Sequence, residues 1–265
     1  MNPTPPNSLS ETAAAPAELQ GVPVTVRGLS RVLGGRTVLD QVTFTVAAGE
    51  IFVVMGPSGS GKSVLLKHLI GLETPDEGEI LLADQLIQSD GVLDRYRVAL
   101  VFQSGALLNS LTVAENVGLY LTEHRLHPPG KIRQIVSEKL DLLGLAGEES
   151  RYPGELSGGM KKRVAIARAL VIDPQLILYD EPTSELDPLM AAVIAGEIVR
   201  LRQRIGVTSI VVTHDRDLAF GIADRIALLH EGGILALGTP AEVRANPHPL
   251  ARRFLTAEYQ PLEDT

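Results

Sequence analysis

A glycine-rich turn between an apolar strand and a helix constrains this chain more than any other feature. Gly56, Pro57, Ser58, Gly59, Ser60, Gly61, Lys62 and Ser63 follow the strand-like run Ile51 to Met55 and lead into the helical pattern Val64 to Ile70. Three positions without a Cβ let successive backbone N–H groups turn inward onto phosphate oxygens, and the start of the next helix adds positive potential. In such a turn the Lys62 ammonium reaches the outer phosphates and the Ser63 hydroxyl takes Mg2+. A glycine turn that only caps a helix would need neither side chain.

An acidic pair completes a metal and water site. Leu176 to Tyr179 reads as a short strand buried on both faces, the habit of parallel sheets covered by helices. At its carboxyl end Asp180 is placed to hold Mg2+ through water, in keeping with the oxygen ligands of this small, hard ion. Glu181 follows, where a carboxylate can orient and polarise an attacking water. Two acidic residues in a solvated loop would look the same in isolation.

A third motif, Leu156-Ser157-Gly158-Gly159-Met160, opens another helix. Ser157 is a good N-cap, and Lys161 to Leu170 has the apolar spacing of an amphipathic helix. A capped helix with two tolerated glycines accounts for that much. Two glycines in a first turn nevertheless cost roughly 1 kcal/mol each against alanine, which favours a close backbone approach to something, such as a γ-phosphate.

The order Gln103, Leu156-Ser-Gly-Gly, Asp180-Glu181, Ser184-Glu-Leu-Asp187 and His214 behind a Walker A loop resembles the ATP-binding cassette (ABC) ATPases of ABC transporters. The resemblance spans about Val22 to Leu255. It implies the α/β ABC ATPase P-loop fold, with a mixed sheet core, a small antiparallel β subdomain and a helical subdomain. It also implies catalytic roles for Glu181, His214 and Gln103. Gln103 would contact Mg2+ and water and move with a membrane-embedded partner; His214 would sense the γ-phosphate and fix Glu181. Gly56 to Ser63 would bind ATP, and Ser63, Gln103 and Asp180 would hold Mg2+. Ser157, Gly158, Gly159 and Asp187 would belong to the nucleotide site of a second copy, two ATP being buried between head-to-tail subunits. Asp187 before Pro188 also reads as a helix cap, and the two roles are compatible. Leu33 stands near the place where relatives stack adenine on an aromatic ring, so base selectivity is expected to be loose. Met160 replaces a common glutamine.

The stretches Phe102 to Val117, Leu156 to Arg163 and Ala245 to Leu255 resemble the ATPase subunit of Mla or Mce-type phospholipid transporters. That resemblance implies integral permease subunits and, through them, an Mce-domain lipid-binding protein, with this chain at the cytoplasmic face of the inner membrane. An ABC subunit for a polar solute such as an amino acid is the alternative; a non-transport ABC ATPase is a further one. A chromosome-type ATPase would need a long coiled coil between Ser63 and Leu156, and no heptads are present.

Composition narrows the remainder. With 265 residues, 45% hydrophobic, the chain can bury a good core as one α/β domain with a helical insert. Cysteine is absent, which excludes disulfides and thiolate metal sites. No apolar run reaches the 18 or so residues of a membrane span. A net charge of −8 argues against nucleic acid as a partner, and Lys161-Lys162-Arg163 is expected on the solvated side of its helix. His124 and His127, beside Pro128-Pro129, read as loop residues rather than ligands.

Residues 1–20, rich in Pro, Ala and Ser and without Lys or Arg, read as a disordered leader, 21–257 as the ATPase domain and 258–265 as a flexible tail. Val22 to Arg27, Val42 to Val46 and Glu79 to Leu82 are expected to form the antiparallel sheet. Ile51 to Met55, Val98 to Phe102, Leu176 to Asp180, Thr208 to Thr213 and Arg225 to Leu229 are expected to form the parallel core. Ligands of open parallel sheets gather beyond the strands' carboxyl ends, where Gly56, Gln103, Asp180 and His214 all fall. The helical subdomain, about 104–170, carries Ile132, Ile135, Val136, Leu140 and Leu143 at helix spacing and is expected to dock the membrane partner.

Overall fold

Alternating apolar residues near the start of the chain produce an antiparallel pair, β1 (Val24–Leu33) and β2 (Arg36–Val46). Both run further than their alternation suggests. At Gly28, whose φ is +56°, β1 carries a bulge that moves the buried set from Val24 and Val26 to Leu29, and a bulge of this kind hides a strand from a period-two reading. The segment Arg31 to Gly35 is therefore the end of β1 and its turn, with Leu33 paired to Arg36. The computed structural model describes residues 21–256; the expected leader 1–20 and tail 258–265 lie outside the described residues.

The chain continues through β3 (Ile51–Met55), α1 (Lys62–Leu69), β4 (Glu77–Leu82), β5 (Gln85–Leu86), α2 (Val92–Tyr96) and β6 (Val98–Val101). Then come α3 (Val113–Glu123), α4 (Pro129–Leu142), α5 (Gly158–Leu170), β7 (Leu176–Asp180) and α6 (Pro188–Ile205). Last are β8 (Thr208–Thr213), α7 (Arg216–Ile222), β9 (Arg225–His230), β10 (Gly233–Gly238), α8 (Pro240–Arg244) and α9 (Pro249–Thr256). The first sheet has the order β2-β1-β4-β5 and the second β10-β9-β3-β8-β7-β6. In the second, β9, β3, β8, β7 and β6 are parallel, and β10 joins β9 antiparallel, which makes the sheet mixed. Glycines at both ends of β10 conceal it as a strand.

Strands buried on both faces explain the layering. Ile51, Val53, Met55, Val101, Ile177, Tyr179, Val211 and Leu228 face one core, shared with α3, α4, α5, α6 and α7. Phe52, Val54, Leu178, Ile210, Val212 and Leu229 face the other, shared with α1 and the antiparallel sheet. Successive residues of a strand point to opposite sides, so the continuous apolar runs of β3, β7 and β8 serve both cores at once.

Helix starts are encoded locally. Thr112 and Glu115 form a reciprocal capping box at α3, with Glu115 N–H donating to Thr112 Oγ1 at 3.2 Å and Thr112 N–H donating to Glu115 Oε2 at 2.8 Å. Pro129 opens α4, and Ser157 caps α5. Asn116, fully buried in α3, accepts from Leu108 N–H at 2.8 Å and donates to the carbonyls of Leu108, Leu111 and Thr112. One amide thus ties together Leu108, Leu111 and Thr112, in the part of the segment that leads into α3. We expect Asn116→Ala, which strands those groups, to lower the unfolding free energy by about 2–3 kcal/mol in urea titration. A loss of under about 0.5 kcal/mol would mean that water replaces the amide.

Candidate functional site

Four neighbouring strand ends converge because their registers are level. Met55 pairs with Thr213, Asp180 with Val212, and Val101 with Tyr179. The next residues in the chain are therefore neighbours: the Gly56 turn after β3, His214 after β8, Glu181 after β7, and Phe102-Gln103 after β6.

In the glycine turn, close packing dictates residue type at two positions. A Cβ on Gly56 would stand 2.2 Å from the carbonyl oxygen of Leu229. Gly61 has φ +105° and a Cβ there would meet the Val38 carbonyl at 2.7 Å, so only glycine suits both the conformation and the space. Lys62 is buried; its ammonium donates to the carbonyls of Gly56 at 2.8 Å and Pro57 at 3.0 Å and lies 3.9 Å from Glu181 Oε1. Burial lowers its pKa, against the pull of Glu181 and Asp180. Ser58, Gly59 and Ser63 are exposed, Pro57 is half-buried, and Ser60 is buried with its hydroxyl unpartnered.

Glu181 is held in a conformation that its residue type disfavours, with φ +45°. Its N–H donates to the Val212 carbonyl at 2.9 Å, and Ser184 N–H donates to its carbonyl at 3.1 Å. One carboxylate oxygen, Oε2, accepts from Thr213 Oγ1 at 3.1 Å, from His214 N–H at 3.3 Å and from His214 Nδ1 at 2.9 Å. The ring nitrogen facing a carboxylate carries the proton. Oε1 has the Lys62 ion pair alone, so it is the oxygen free to face a water molecule. Thr213 Oγ1 in turn accepts from Asp215 N–H at 3.0 Å, and Asp215 Oδ2 accepts from Thr183 Oγ1 at 3.1 Å. Asp215 is absent from the sequence reading, though Asp before an amphipathic run is a cap signature.

The donor set fits Mg2+. Asp180 Oδ1 is buried and no protein donor reaches it. Asp180, the exposed hydroxyl of Ser63 and the exposed amide of Gln103 offer hard oxygen ligands of the kind this ion takes. Among the described residues no three His, Cys, Asp or Glu side chains cluster as a ready cation site.

The residues expected to serve a second copy form no hydrogen bond with the glycine turn. Ser157 is exposed and caps α5 by accepting from Met160 N–H at 3.3 Å. Asp187 is exposed and caps α6 by accepting from Leu189 and Met190 N–H. A Cβ on Gly159 would lie 2.9 Å from Met190 Sδ, and one on Gly158 would lie 3.2 Å from Leu186 Cδ2. Gly159 therefore has a packing reason within its own chain as well. Leu33 is 38% exposed at the tip of the β1–β2 hairpin. His124 ends α3, tilted against Tyr120.

One expectation is overturned. Lys162 is buried, not solvated: its ammonium donates to the carbonyl of Gln103 and, at 3.2 Å, to Ser184 Oγ. Arg163 also turns inward, donating to the Leu143 carbonyl at 3.0 Å. A run of three basic residues hid the periodicity, for Gly159, Lys162, Ile166 and Ala169 share the buried face of α5 at helix spacing.

Comparison with known proteins fits this geometry. A family model described as ABC transporter matches residues 39–184. The protein named probable ribonucleotide transport ATP-binding protein mkl, of Mycobacterium leprae, is 40% identical over 239 residues, covering 89% of this chain and 69% of its own. The intermembrane phospholipid transport system ATP-binding protein MlaF of Escherichia coli is 39% identical over 236 residues, covering 88% of each chain. The sulfate/thiosulfate import ATP-binding protein CysA 2 of Chromobacterium violaceum is 42% identical, covering 88% of this chain and 62% of its own. Among solved structures, the dimeric post-hydrolysis state of the ATP-binding cassette MJ0796 bound to ADP and Pi has a TM-score of 0.73 at 32% identity. It covers 82% of this chain and 98% of that one.

Asp180 carries a price in stability. Burial first, then the charge of Glu181, raise its pKa, outweighing the attraction of Lys62 and Lys162. A carboxyl whose folded pKa lies above its unfolded value destabilises the fold while ionised; this cost begins to shrink as pH falls through the folded value and is gone below the unfolded one. We expect Asp180→Asn to raise the urea midpoint of the nucleotide-free protein at neutral pH, with the difference shrinking on acidification. A lower midpoint for the variant would mean that the two lysines dominate.

Proposed function

Because this chain belongs to the ABC transporter family, as a subunit that hydrolyses ATP with Mg2+ and couples hydrolysis to transport, we propose that it drives a permease moving phospholipid between membranes, as a homodimer closed over two ATP. The observation that carries the phospholipid reading is the match to the E. coli phospholipid transport relative along nearly the whole of both chains. The stretches Phe102 to Val117 and Ala245 to Leu255 support it by resemblance. No helix among the described residues is long and apolar enough to cross a membrane; in this reading the permease supplies the span. The domain comprises 21–257, with a helical part of about 104–170 meeting the permease at the cytoplasmic face of the inner membrane. An Mce-domain lipid-binding protein joins through the permease, and nucleic acid is not a partner.

The residues divide the work. Backbone N–H groups of Gly59 to Ser63 cradle the phosphates, and Lys62 exchanges its two loop carbonyls for phosphate oxygens. Mg2+, when bound by Ser63, Asp180 and Gln103, neutralises phosphate charge. Glu181 Oε1 accepts a hydrogen bond from the attacking water and orients it, while His214 and Thr213 fix the carboxylate through Oε2. Ser157, Gly158, Gly159 and Asp187 act on the twin's nucleotide, so that the γ-phosphate joins the two copies through contacts that ADP lacks. Closure then follows from differential binding to two states.

We expect Glu181→Gln to lower kcat by about 100-fold or more and to trap an ATP-dependent dimer visible by size-exclusion chromatography. A variant with normal turnover would remove Glu181 from its role. Purification from native membranes, followed by identification of the bound chains and lipids, tests the substrate. Recovery with an Mce-domain partner and phospholipid is expected; recovery with a receptor for a polar solute would replace the lipid reading.

A further inference from the structure

Lys162 joins two turns that lie far apart in the chain. It is only 6% exposed, and its ammonium donates both to the Gln103 carbonyl and to Ser184 Oγ at 3.2 Å. Ser184 N–H donates to the Glu181 carbonyl at 3.1 Å. Three hydrogen bonds in series therefore run from the Gln103 turn through Lys162 to the backbone of Glu181. Burial lowers the pKa of this cation, against the weaker pull of Glu185, Asp180 and Glu181.

The rest of the Gln103 turn is tied to the same helix. Arg168, also on α5, donates to the carbonyls of Gly105 and Ala106 at 2.7 Å each. The Gln103 side chain is left exposed while the turn's backbone is gripped from α5. On its far side the Glu181 turn is pinned by Thr183 to Asp215. Beyond the end of the β6–β7 ladder at Val101 and Tyr179, Lys162 is a side chain that hydrogen-bonds both the Gln103 turn and the turn after Glu181.

We propose that Lys162 is a positioning residue for hydrolysis, one that keeps the Glu181–Ser184 turn in register with the Gln103 turn so that displacement of one resets the carboxylate on the other. The inference rests on the role proposed above for Glu181. A lysine that merely filled the interior would affect stability, whereas a positioning lysine acts on turnover with little effect on ATP affinity, because Lys162 hydrogen-bonds no residue of the Gly56–Ser63 turn.

The test is ATP turnover of the full chain in its membrane complex, across ATP concentrations. The variants are Lys162→Met, Lys162→Arg, Ser184→Ala and the Lys162→Met/Ser184→Ala double, with thermal unfolding measured in parallel. Lys162→Met is expected to lower kcat about tenfold, equivalent to about 1.4 kcal/mol, with KM for ATP changed less than about twofold. Lys162→Arg is expected to regain most of the loss, since a guanidinium can donate to both oxygens. Ser184→Ala is expected to lower kcat at constant KM, and the double variant to be no slower than Lys162→Met alone, because both changes cut one link. Wild-type kcat in Lys162→Met overturns the proposal. So does a kcat loss that tracks a rise in KM and is not regained by arginine, or losses that multiply in the double variant. If Lys162→Met does not fold, Ser184→Ala decides, and unchanged kcat there overturns the proposal. Glu181→Gln measured alongside keeps the two readings apart: its normal turnover would defeat the role of Glu181, whatever Lys162 does.

Discussion

Parallel pairing of β3 with β8 and of β8 with β7 sets Met55 opposite Thr213 and Asp180 opposite Val212, and the site depends on that register. Each strand ends at the same level, so the residue after each end enters one small volume. A slip of a single residue would turn every side chain of a strand to its other face. Both faces of these strands pack into separate apolar cores, and close packing against two fixed surfaces holds each strand to its register. The hydrophobic layers thus act on the chemistry by fixing where Lys62, Glu181 and His214 emerge.

The groups gathered there oppose stability individually. Lys62 and Asp180 are charges drawn partly out of water, and Asp180 has an oxygen without a donor. Glu181 sits in the left-handed region, and Gly56 and Gly61 leave no room for a Cβ. Such features persist where surrounding structure over-determines them and where a ligand's charge and donors remain to be met. The glycine turn, the lone carboxylate oxygen and the loop-bound ammonium suit a phosphate anion and its cation.

The Gln103 turn illustrates a division between held backbone and free side chain. Asn116 from α3 and Lys162 and Arg168 from α5 fix its carbonyls and those of the segment beyond it. The amide of Gln103 itself is exposed. The turn is hydrogen-bonded to α5 through Arg168 and Lys162, and Lys162 also reaches Ser184 in the turn after Glu181.

Residue pattern alone determined the Gly56–Ser63 turn, the buried strands β3, β7 and β8, and the caps Ser157 and Asp187, because each is local: a short period, a missing Cβ or a side-chain oxygen three residues from its donor. It also placed Gln103, Asp180, Glu181 and His214 at strand ends. Local pattern failed at Gly28, where a bulge broke the alternation of β1, and at β10, whose glycines mask a strand. It failed again at Lys162, whose charge suggested solvent although its helical position lies on the buried face. Only tertiary structure decided that the Lys162 ammonium would meet the Gln103 carbonyl and Ser184, that Glu181 would offer Oε1 with Oε2 committed, and that Asp215 would brace Thr213 and Thr183. Apart from the local Asp215–Thr213 bond, these contacts join residues from separate elements, and no local spacing encodes a distance that the packing of a sheet and its helices creates.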